Sequence, residues 1–251
     1  MAEALDTLVA RLRAAGCVFA EDEAALLLAE TDDPAELERL TGLRVAGLPL
    51  EHVLGWAEFR GRRYAVAPGV FVPRPRTERL VELAVQRAGR GAVILDLCAG
   101  SGAIGAAVAA EVDNATLYST ELDPAAVAVA RRNVPLVFEG DLFEPLPRGL
   151  RFDLIVVVAP YVPTGEIALL PHEARDFEPM LALDGGSDGL DLVRRILAEA
   201  PQWLAPGGAL LTEVSEEQAP VVAELARARG FAAEIDDTVV ILSRGHSETK
   251  R

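Results

Sequence analysis

The sequence predicts an α/β fold, in which a mostly parallel sheet carries helices on both of its faces. From residue 92 onward, short apolar runs alternate with stretches of helical periodicity, which is the pattern of successive strand–helix–strand units. The run Leu-Ile-Val-Val-Val-Ala at residues 154–159 is apolar throughout. A central strand that is buried on both faces of a parallel sheet has this composition.

Composition narrows the class of protein. The chain has 251 residues, 51% of them hydrophobic, which suits one large domain or a medium domain with a small addition. The net charge of −15 argues against broad nucleic-acid binding, which requires a basic face. Cys17 and Cys98 lie far apart, so we expect no disulfide framework. Neither a signal peptide nor an apolar run of the roughly 18 residues that span a membrane is found, and we expect a cytoplasmic protein.

Two small parts precede the α/β region. Leucines and alanines at helical spacing predict short helices in residues 1–46, interrupted near Gly16 and at Asp32-Asp33-Pro34. The following residues are rich in glycine, proline and aromatic side chains, and residues 58–72 predict a β-hairpin. We therefore expect three parts: a helical domain at 1–46, a hairpin linker at 47–76 and an α/β domain at 77–251.

The α/β region contains seven predicted strands and their connecting helices. The strands are predicted at 92–98, 115–121, 137–141, 152–159, 208–215, 232–237 and 238–244. The last two strands are expected to form an antiparallel pair that closes the sheet. Helices are predicted at 78–88, 102–112, 123–133, 189–204 and 217–230, and Thr77 is a candidate N-cap of the first.

A glycine-rich turn follows the first strand of the sheet. In the stretch CAGSGAIG at residues 98–105, Gly100 and Gly102 allow a tight turn and a close approach of the backbone to a ligand. Many glycine turns have no ligand, so the meaning of this one depends on its neighbours.

Acidic residues end the next two strands. Glu121 ends the second strand, where a carboxylate can accept hydrogen bonds from a ribose diol. Asp141 ends the third strand, where it could accept from an adenine amino group, and Leu142 beside it could cover the ring. Helix capping or solvation is the alternative role for both acids. Together with the glycine turn, they predict a site for an adenosine-containing ligand.

Two cofactors contain adenosine and fit this pattern. The spacing Gly-Ser-Gly-Ala-Ile-Gly from Gly100 matches a nicotinamide dinucleotide fingerprint, in which a helix N-terminus holds pyrophosphate. Asp96, just before the turn, and the closing antiparallel pair favour S-adenosylmethionine, whose amino acid and sulfonium are not phosphates.

Seven segments between roughly residues 47 and 244 resemble the HemK-type protein-(glutamine-N5) methyltransferases. They are GLPLEHVLGWAEFRG, VFVPRPRTE, ILDLCAGSGAIG, ELDPAAVAVARRN, GDLFEPL, APYVP and HEARDFEPMLALDGGSDGLDLVRRI. The resemblance implies the Rossmann-like fold of class I methyltransferases, with a small helical N-terminal domain and a hairpin linker. It implies S-adenosylmethionine as cofactor and S-adenosylhomocysteine as product. The implied substrate is the glutamine of a Gly-Gly-Gln loop in peptide-chain release factors.

The resemblance also implies which residues form the site. Cofactor contacts carry over to Arg74, Thr77, Asp96, Cys98, Ala99, Gly100, Gly102, Ile104, Glu121, Leu122, Asp141, Leu142 and Val158. The methyl-acceptor residues carry over to Val158, Ala159, Pro160 and Tyr161, with the Pro160 carbonyl accepting an amide proton and Tyr161 lining the methyl path.

The remaining histidines, acids and serines differ in whether their position in the sequence suits a role in the site. His172 and Glu173 follow the acceptor turn and could face the substrate, and Glu178-Pro179 could shape the substrate loop. His52 and His246 lack the spacing of metal ligands, so no metal site is expected. Ser101 and Ser215 lack the His/Asp partners of a hydrolase.

The chain departs from the family pattern at the acceptor turn. The family's Asn-Pro-Pro-Tyr is here Val158-Ala159-Pro160-Tyr161, Arg76 replaces an acidic residue, and Cys98 stands where a glycine is frequent. Valine cannot accept a hydrogen bond, and one missing acceptor costs on the order of 1–3 kcal/mol when the partner group stays unsatisfied.

Four functions follow from these observations. The first is methylation of a protein glutamine. The second is methylation of a small molecule, which Val158 and a helical segment shorter than the family's favour. The third is cofactor binding without catalysis. The fourth is methylation of a nucleic-acid amino group, against which the charge of −15 argues.

Overall fold

Three helices open the chain, which a computed structural model describes over residues 2–244. They are α1 (Ala2–Ala14), α2 (Ala20–Glu30) and α3 (Pro34–Val45). The predicted breaks near Gly16 and at Asp32-Asp33-Pro34 are confirmed. Asp33 caps α3, because its side chain accepts a hydrogen bond from the Ala35 N–H at 3.0 Å and Pro34 occupies the first helical position. The helices share a core of Leu8, Leu12, Leu27 and Leu40.

A short helix and a β-hairpin follow. They are α4 (Leu50–Leu54), β1 (Trp56–Phe59) and β2 (Arg62–Ala65), and the two strands are antiparallel. Arg60 and Gly61 both have positive φ, as a tight two-residue hairpin turn requires. The observed hairpin spans residues 56–65, so it both starts and ends earlier than the hairpin predicted at 58–72. Pro68 has no backbone N–H to donate, and strand pairing stops before it.

The remaining strands form one seven-stranded sheet. They are β3 (Val93–Leu97), β4 (Thr116–Glu121), β5 (Val137–Glu139), β6 (Phe152–Val157), β7 (Leu204–Glu213), β8 (Phe231–Asp236) and β9 (Val239–Arg244). The order is β5-β4-β3-β6-β7-β9-β8. The first five are parallel, and β9 lies antiparallel to both β7 and β8. The predicted closing antiparallel pair is confirmed.

Helices follow the hairpin along the chain, and those that pack on the sheet cover both of its faces. They are α5 (Glu78–Arg87), α6 (Ala103–Glu111), α7 (Pro124–Asn133), α8 (His172–Phe177), α9 (Met180–Leu183), α10 (Asp191–Glu199) and α11 (Gln218–Arg227). The helix predicted at 189–204 is shorter, since Pro201 cannot extend it and a 3-10 turn follows. Thr77 precedes α5, but its side chain makes no capping hydrogen bond, because Thr77 itself adopts helical torsion angles in a preceding 3-10 turn.

Side chains of alternate residues along the strands build a core on each face. Leu95, Ile155 and Leu210 pack beneath α10 and α11, whereas Ile94, Val156 and Leu211 pack beneath α5 and α6. Burial on both faces explains the continuous apolar run of β6.

Within residues 2–244, no helix is both long and apolar enough to cross a membrane. The three domain boundaries stay predictions.

Candidate functional site

A cavity of about 820 Å³ lies at the carboxyl ends of β3, β4, β5 and β6. Ligand sites of open α/β sheets occur at this edge, because loops diverge there from adjacent parallel strands. Most of the predicted site residues line the cavity: Arg74, Thr77, Cys98, Ala99, Gly100, Ile104, Glu121, Leu122, Asp141, Leu142, Val158, Ala159, Pro160 and Tyr161. The structure therefore brings these fourteen residues to one place, while their binding roles stay predictions.

The glycine turn forms one wall. Gly100 and Gly102 have φ of +55° and +79°, in the left-handed region that favours glycine. Cys98 also has a positive φ, of 58°, which is uncommon for a residue with a side chain. This conformation explains why glycine would suit position 98. A Cβ at Gly100 would have no atom within 4 Å, so the turn leaves open space in front of it.

Asp96 and Gly102 are not part of the cavity wall. The Asp96 side chain is buried, and its Oδ2 accepts a hydrogen bond from the Gly105 N–H at 2.9 Å. Gly105 is required there, since a Cβ would lie 2.6 Å from the Asp96 Cβ. Burial raises the pKa of Asp96 to about 8, the nearby Glu121 charge adds to the rise, and the Gly105 hydrogen bond opposes it. Asp96 thus fixes the start of α6 behind the wall.

Glu121 connects the glycine turn to the end of β4. Its Oε2 accepts a hydrogen bond from the Gly100 N–H at 2.7 Å, and its Oε1 accepts from the N–H groups of Leu122 and Asp123 at 2.7 and 2.9 Å. These three contacts fix the carboxylate at the cavity wall. Leu122 beside it is 47% exposed and offers an apolar surface.

Asp141 is paired with a cation that sequence reasoning missed. Its Oδ2 lies 2.7 Å from Nη2 of Arg195, on α10, which also lines the cavity. The two residues are 54 positions apart, and nothing in their local sequence indicates the pairing. Leu142 follows with φ of 47° and is buried.

The acceptor turn directly follows β6 and is supported by a glycine-rich segment. Within residues 2–244, the Pro160 carbonyl accepts no hydrogen bond, whereas the Tyr161 carbonyl accepts one from Gln218 Nε2 at 2.8 Å. A Cβ at Gly189 would lie only 2.1 Å from the Tyr161 oxygen, and one at Gly185 would lie 2.7 Å from the Pro160 oxygen. Both glycines are therefore required where the segment packs against the turn.

A charged pair that sequence reasoning also missed lies beside Tyr161. Arg76 donates from Nη2 to the Tyr161 hydroxyl and from Nε to Oε1 of Glu213, the latter at 3.1 Å. Glu213 ends β7, and its side chain is 1% exposed. Burial raises the pKa of Glu213, against the opposing effects of Thr77 and Arg76. Burial likewise raises the pKa of Tyr161.

The loop before the glycine-rich segment is anchored by Glu178. This buried carboxylate accepts hydrogen bonds from the Val72 N–H at 3.1 Å and from Arg74 Nη2 at 2.5 Å. Burial raises its pKa, and Arg74 opposes that effect. Pro179 lines the cavity next to it. Glu178 therefore anchors this loop, and the role of Glu178-Pro179 in shaping a substrate loop stays a prediction.

A second anchor ties α8 to the first helices. Arg44 on α3 is buried, donates to both carboxylate oxygens of Glu23, and reaches Glu173 Oε1 at 2.6 Å. Glu173 lines the cavity, but His172 does not. Instead, Nε2 of His172 lies 3.1 Å from Oδ2 of Asp176 on the exposed side of α8.

Residues 2–244 contain no group of three or more His, Cys, Asp or Glu side chains placed to hold a metal ion. His52 is buried and lies 2.8 Å from the Val70 carbonyl oxygen. His246 lies outside the described residues.

Comparisons with known proteins agree with this geometry. The Methyltransferase small domain family matches residues 68–167. A release factor glutamine methyltransferase of Geobacter sulfurreducens is 43% identical, over 79% of this chain and 73% of its own. One of Bordetella pertussis is 40% identical, over 82% of each chain.

Solved structures share the fold at low sequence identity. A methyltransferase from Pyrococcus furiosus superposes with a TM-score of 0.56 at 20% identity, over 84% of this chain and 97% of its own. A 16S rRNA N2 G1207 methyltransferase from Thermus thermophilus, in complex with AdoMet (S-adenosylmethionine) and guanosine, gives 0.55 at 23% identity, over 76% of this chain and 50% of its own.

These findings confirm the predicted class I methyltransferase fold and the predicted S-adenosylmethionine-dependent methyltransferase class, with S-adenosylmethionine as cofactor. The nicotinamide alternative is not supported. Because the bacterial relatives match this chain at 40–43% identity over most of their length, the chain belongs to the release factor glutamine methyltransferase family.

Proposed function

We propose that the protein transfers a methyl group from S-adenosylmethionine to the side-chain amide nitrogen of a glutamine in a peptide-chain release factor. The observation that carries this proposal is that one cavity joins two sets of residues. Gly100 and Glu121 line one part of it, and the turn at 158–161 lines another. A methyl donor and an acceptor amide bound in these parts would share one space. The names of the bacterial relatives support the choice of substrate.

The residues near the glycine turn fit the cofactor. The Glu121 carboxylate borders the cavity and retains acceptor capacity for ribose hydroxyls, since two carboxylate oxygens offer about four acceptor positions and three are used. Leu122 and Leu142 supply apolar surface for adenine, and Asp141 supplies an acceptor for its amino group. When bound, the cofactor supplies an electrophilic methyl group on a positively charged sulfur.

The residues of the acceptor turn position the amide. An amide nitrogen is a weak nucleophile, because its lone pair is delocalised, so its orientation determines much of the rate. The Pro160 carbonyl, which accepts no hydrogen bond within residues 2–244, can accept one from the amide NH2 group. Val158 adds only apolar surface there. We therefore expect glutamine methylation that is slower than an asparagine at position 158 would permit.

Two measurements test this function. Calorimetric titration with S-adenosylmethionine should show binding, and incubation with a release factor should add one methyl group to its Gly-Gly-Gln glutamine, as read by intact mass and peptide mapping.

Glu121→Gln should weaken cofactor binding roughly 10-fold, because it removes a charged acceptor. Glu139→Gln is the matched control, since Glu139 is the register partner of Glu121 on β5 and does not line the cavity.

A small-molecule acceptor is the second candidate, and Val158 is the observation that favours it. A small-molecule acceptor would be indicated if S-adenosylhomocysteine formed in the presence of a metabolite extract while the release factor stayed unmodified. Cofactor binding with no turnover on either would instead indicate a catalytically impaired homologue. Each of these results would overturn the proposed substrate.

A further inference from the structure

The ends of β6 and β7 place a buried carboxylate next to the acceptor turn. In the parallel register, Val156 pairs with Leu211 and Val157 with Thr212, so the next step sets Val158 beside Glu213. Val156, Val158 and Leu211 belong to the same face of the sheet. Since side chains two residues apart share a face, Glu213 points to that side as well. Its Oε2 is buried without a hydrogen-bond partner within residues 2–244.

Glu213 holds a cation at the cavity wall. Arg76 donates to it from Nε, and the Arg76 side chain is 58% exposed and lines the cavity. Its guanidinium carbon lies 5.7 Å from the centroid of the Tyr161 ring. A guanidinium has five N–H donors, and the contacts with Glu213 and Tyr161 use two of them. Three N–H donors of this cavity-lining side chain therefore remain for a ligand.

We propose that Arg76 orients the acceptor glutamine by donating a hydrogen bond to its amide oxygen, and that Glu213 acts as the positioning residue for Arg76. This inference rests on the proposed function. A guanidinium can only donate hydrogen bonds and a carbonyl oxygen can only accept them. The oxygen and the NH2 group of an amide have nearly the same shape, so shape alone does not decide which one faces the methyl donor. With a donor at Arg76 and an acceptor at Pro160, the amide oxygen pairs with Arg76 and the NH2 group with Pro160.

Within this arrangement the Pro160 carbonyl is the group that would disfavour glutamate, since a guanidinium alone also binds carboxylates. A carboxylate could pair one oxygen with Arg76, but its other oxygen would meet the Pro160 carbonyl with no proton between them. An unsatisfied buried acceptor is costly. The Pro160 carbonyl therefore favours glutamine over glutamate at this position of the substrate.

The test compares Arg76→Ala and Arg76→Lys with the unsubstituted full-length chain on two forms of a release factor, one with glutamine in the Gly-Gly-Gln loop and one with glutamate. The unsubstituted chain should methylate only the glutamine form. Arg76→Ala should lower kcat/KM roughly 10- to 100-fold, and Arg76→Lys should restore part of the loss. Calorimetry should give a cofactor Kd within about 2-fold for all three proteins.

Arg79→Ala is the matched control, because Arg79 lies one helical turn away and pairs with Asp236 and Glu82 outside the cavity. It should methylate at the unsubstituted rate. If Arg76→Ala methylates the glutamine form as fast as the unsubstituted chain, the inference is overturned and the proposed function stands. If the unsubstituted chain leaves both forms unmethylated, the proposed function fails, and the inference fails with it.

The double variant that combines Arg76→Ala with Glu213→Gln tests the positioning role of Glu213. Glu213→Gln should raise the KM for the release factor with little change in the cofactor Kd. Because Glu213 is proposed to act through Arg76, the double variant should be no slower than Arg76→Ala alone. If the double variant instead loses kcat/KM by the product of the two single-variant factors, Glu213 acts independently of Arg76 and its assigned role is overturned.

Discussion

At the scale of single residues, Val158 is the position that most directly limits the proposed chemistry. It follows β6, lines the cavity and brings no polar atom to the place where an amide must lose a proton. The Pro160 carbonyl, unpaired among the described residues 2–244, is a hydrogen-bond acceptor in the same turn. The site therefore depends on backbone geometry for part of what a side chain could provide.

Val158→Asn should raise the rate of glutamine methylation roughly 10- to 100-fold, because its side-chain oxygen adds an aligned acceptor at the transition state. The measurement is the initial rate of methyl incorporation into a release factor at saturating cofactor. Val158→Ala is the control, since it reduces the volume of the side chain without adding an acceptor. A rate for Val158→Asn no higher than that of the unsubstituted chain would contradict this interpretation of position 158.

At the scale of elements, the acceptor turn is held by a segment that is distant in sequence. Gln218, at the start of α11, donates to the carbonyls of Tyr161 and Asp188 at 2.8 and 3.0 Å. Gly189 approaches the Tyr161 carbonyl so closely that a Cβ has no space. The segment between α9 and α10 and the turn after β6 therefore form one packed unit.

Gly189→Ala should displace the acceptor turn and lower methylation more than cofactor binding, since most of the predicted cofactor residues lie at the carboxyl ends of β3, β4 and β5. Gly149→Ala is the matched control. Gly149 also has a positive φ, of 90°, but a Cβ there would meet no atom within 4 Å. In both variants the alanine is strained by about 1–2 kcal/mol at its positive φ, and only Gly189→Ala adds a clash with the Tyr161 carbonyl. The measurements are kcat, the cofactor Kd and the urea midpoint of each variant. If all three are the same for Gly189→Ala and Gly149→Ala, the close packing of Gly189 against the acceptor turn has no functional effect and the prediction is wrong.

At the scale of the whole molecule, Asp96 links stability to pH. Its folded-state pKa of about 8 exceeds the unfolded value, so the folded protein keeps a proton that the unfolded chain has released. The contribution of Asp96 to stability is therefore greatest below pH of about 4 and declines as the pH rises towards 8.

Asp96→Asn should remove this decline, because the amide stays neutral and can still accept from the Gly105 N–H. The free energy of unfolding of the variant, relative to the unsubstituted chain, should rise with pH by up to about 1.4 kcal/mol per unit in this window. Urea denaturation at several pH values measures it. Asp153→Asn is the control, since Asp153 also accepts from a backbone N–H, that of Val93, but is exposed. A pH-independent difference for Asp96→Asn would contradict the linkage.

Much of this fold could be predicted from the sequence, because strands buried on both faces leave continuous apolar runs such as that of β6. The glycine turn and the acids at the strand ends were also predictable, since local backbone geometry dictates residue type there. The contacts of Arg195 with Asp141, of Glu213 with Arg76 and of Gln218 with Tyr161 were not. Each joins residues more than 50 positions apart, and no local pattern encodes such a pair.

The buried guanidinium of Arg44 bears on how this chain can be recombined with its relatives. It satisfies Glu23 in the helical segment and Glu173 at the edge of the cavity at the same time. Without Glu173, Arg44 would still be paired with Glu23, and the Glu173 side chain is 48% exposed, so this one contact contributes about 0–1 kcal/mol. A chimera with foreign N-terminal helices that lack Arg44 would therefore keep no charged contact between Glu173 and those helices, and exchanging α8 together with them would avoid the mismatch.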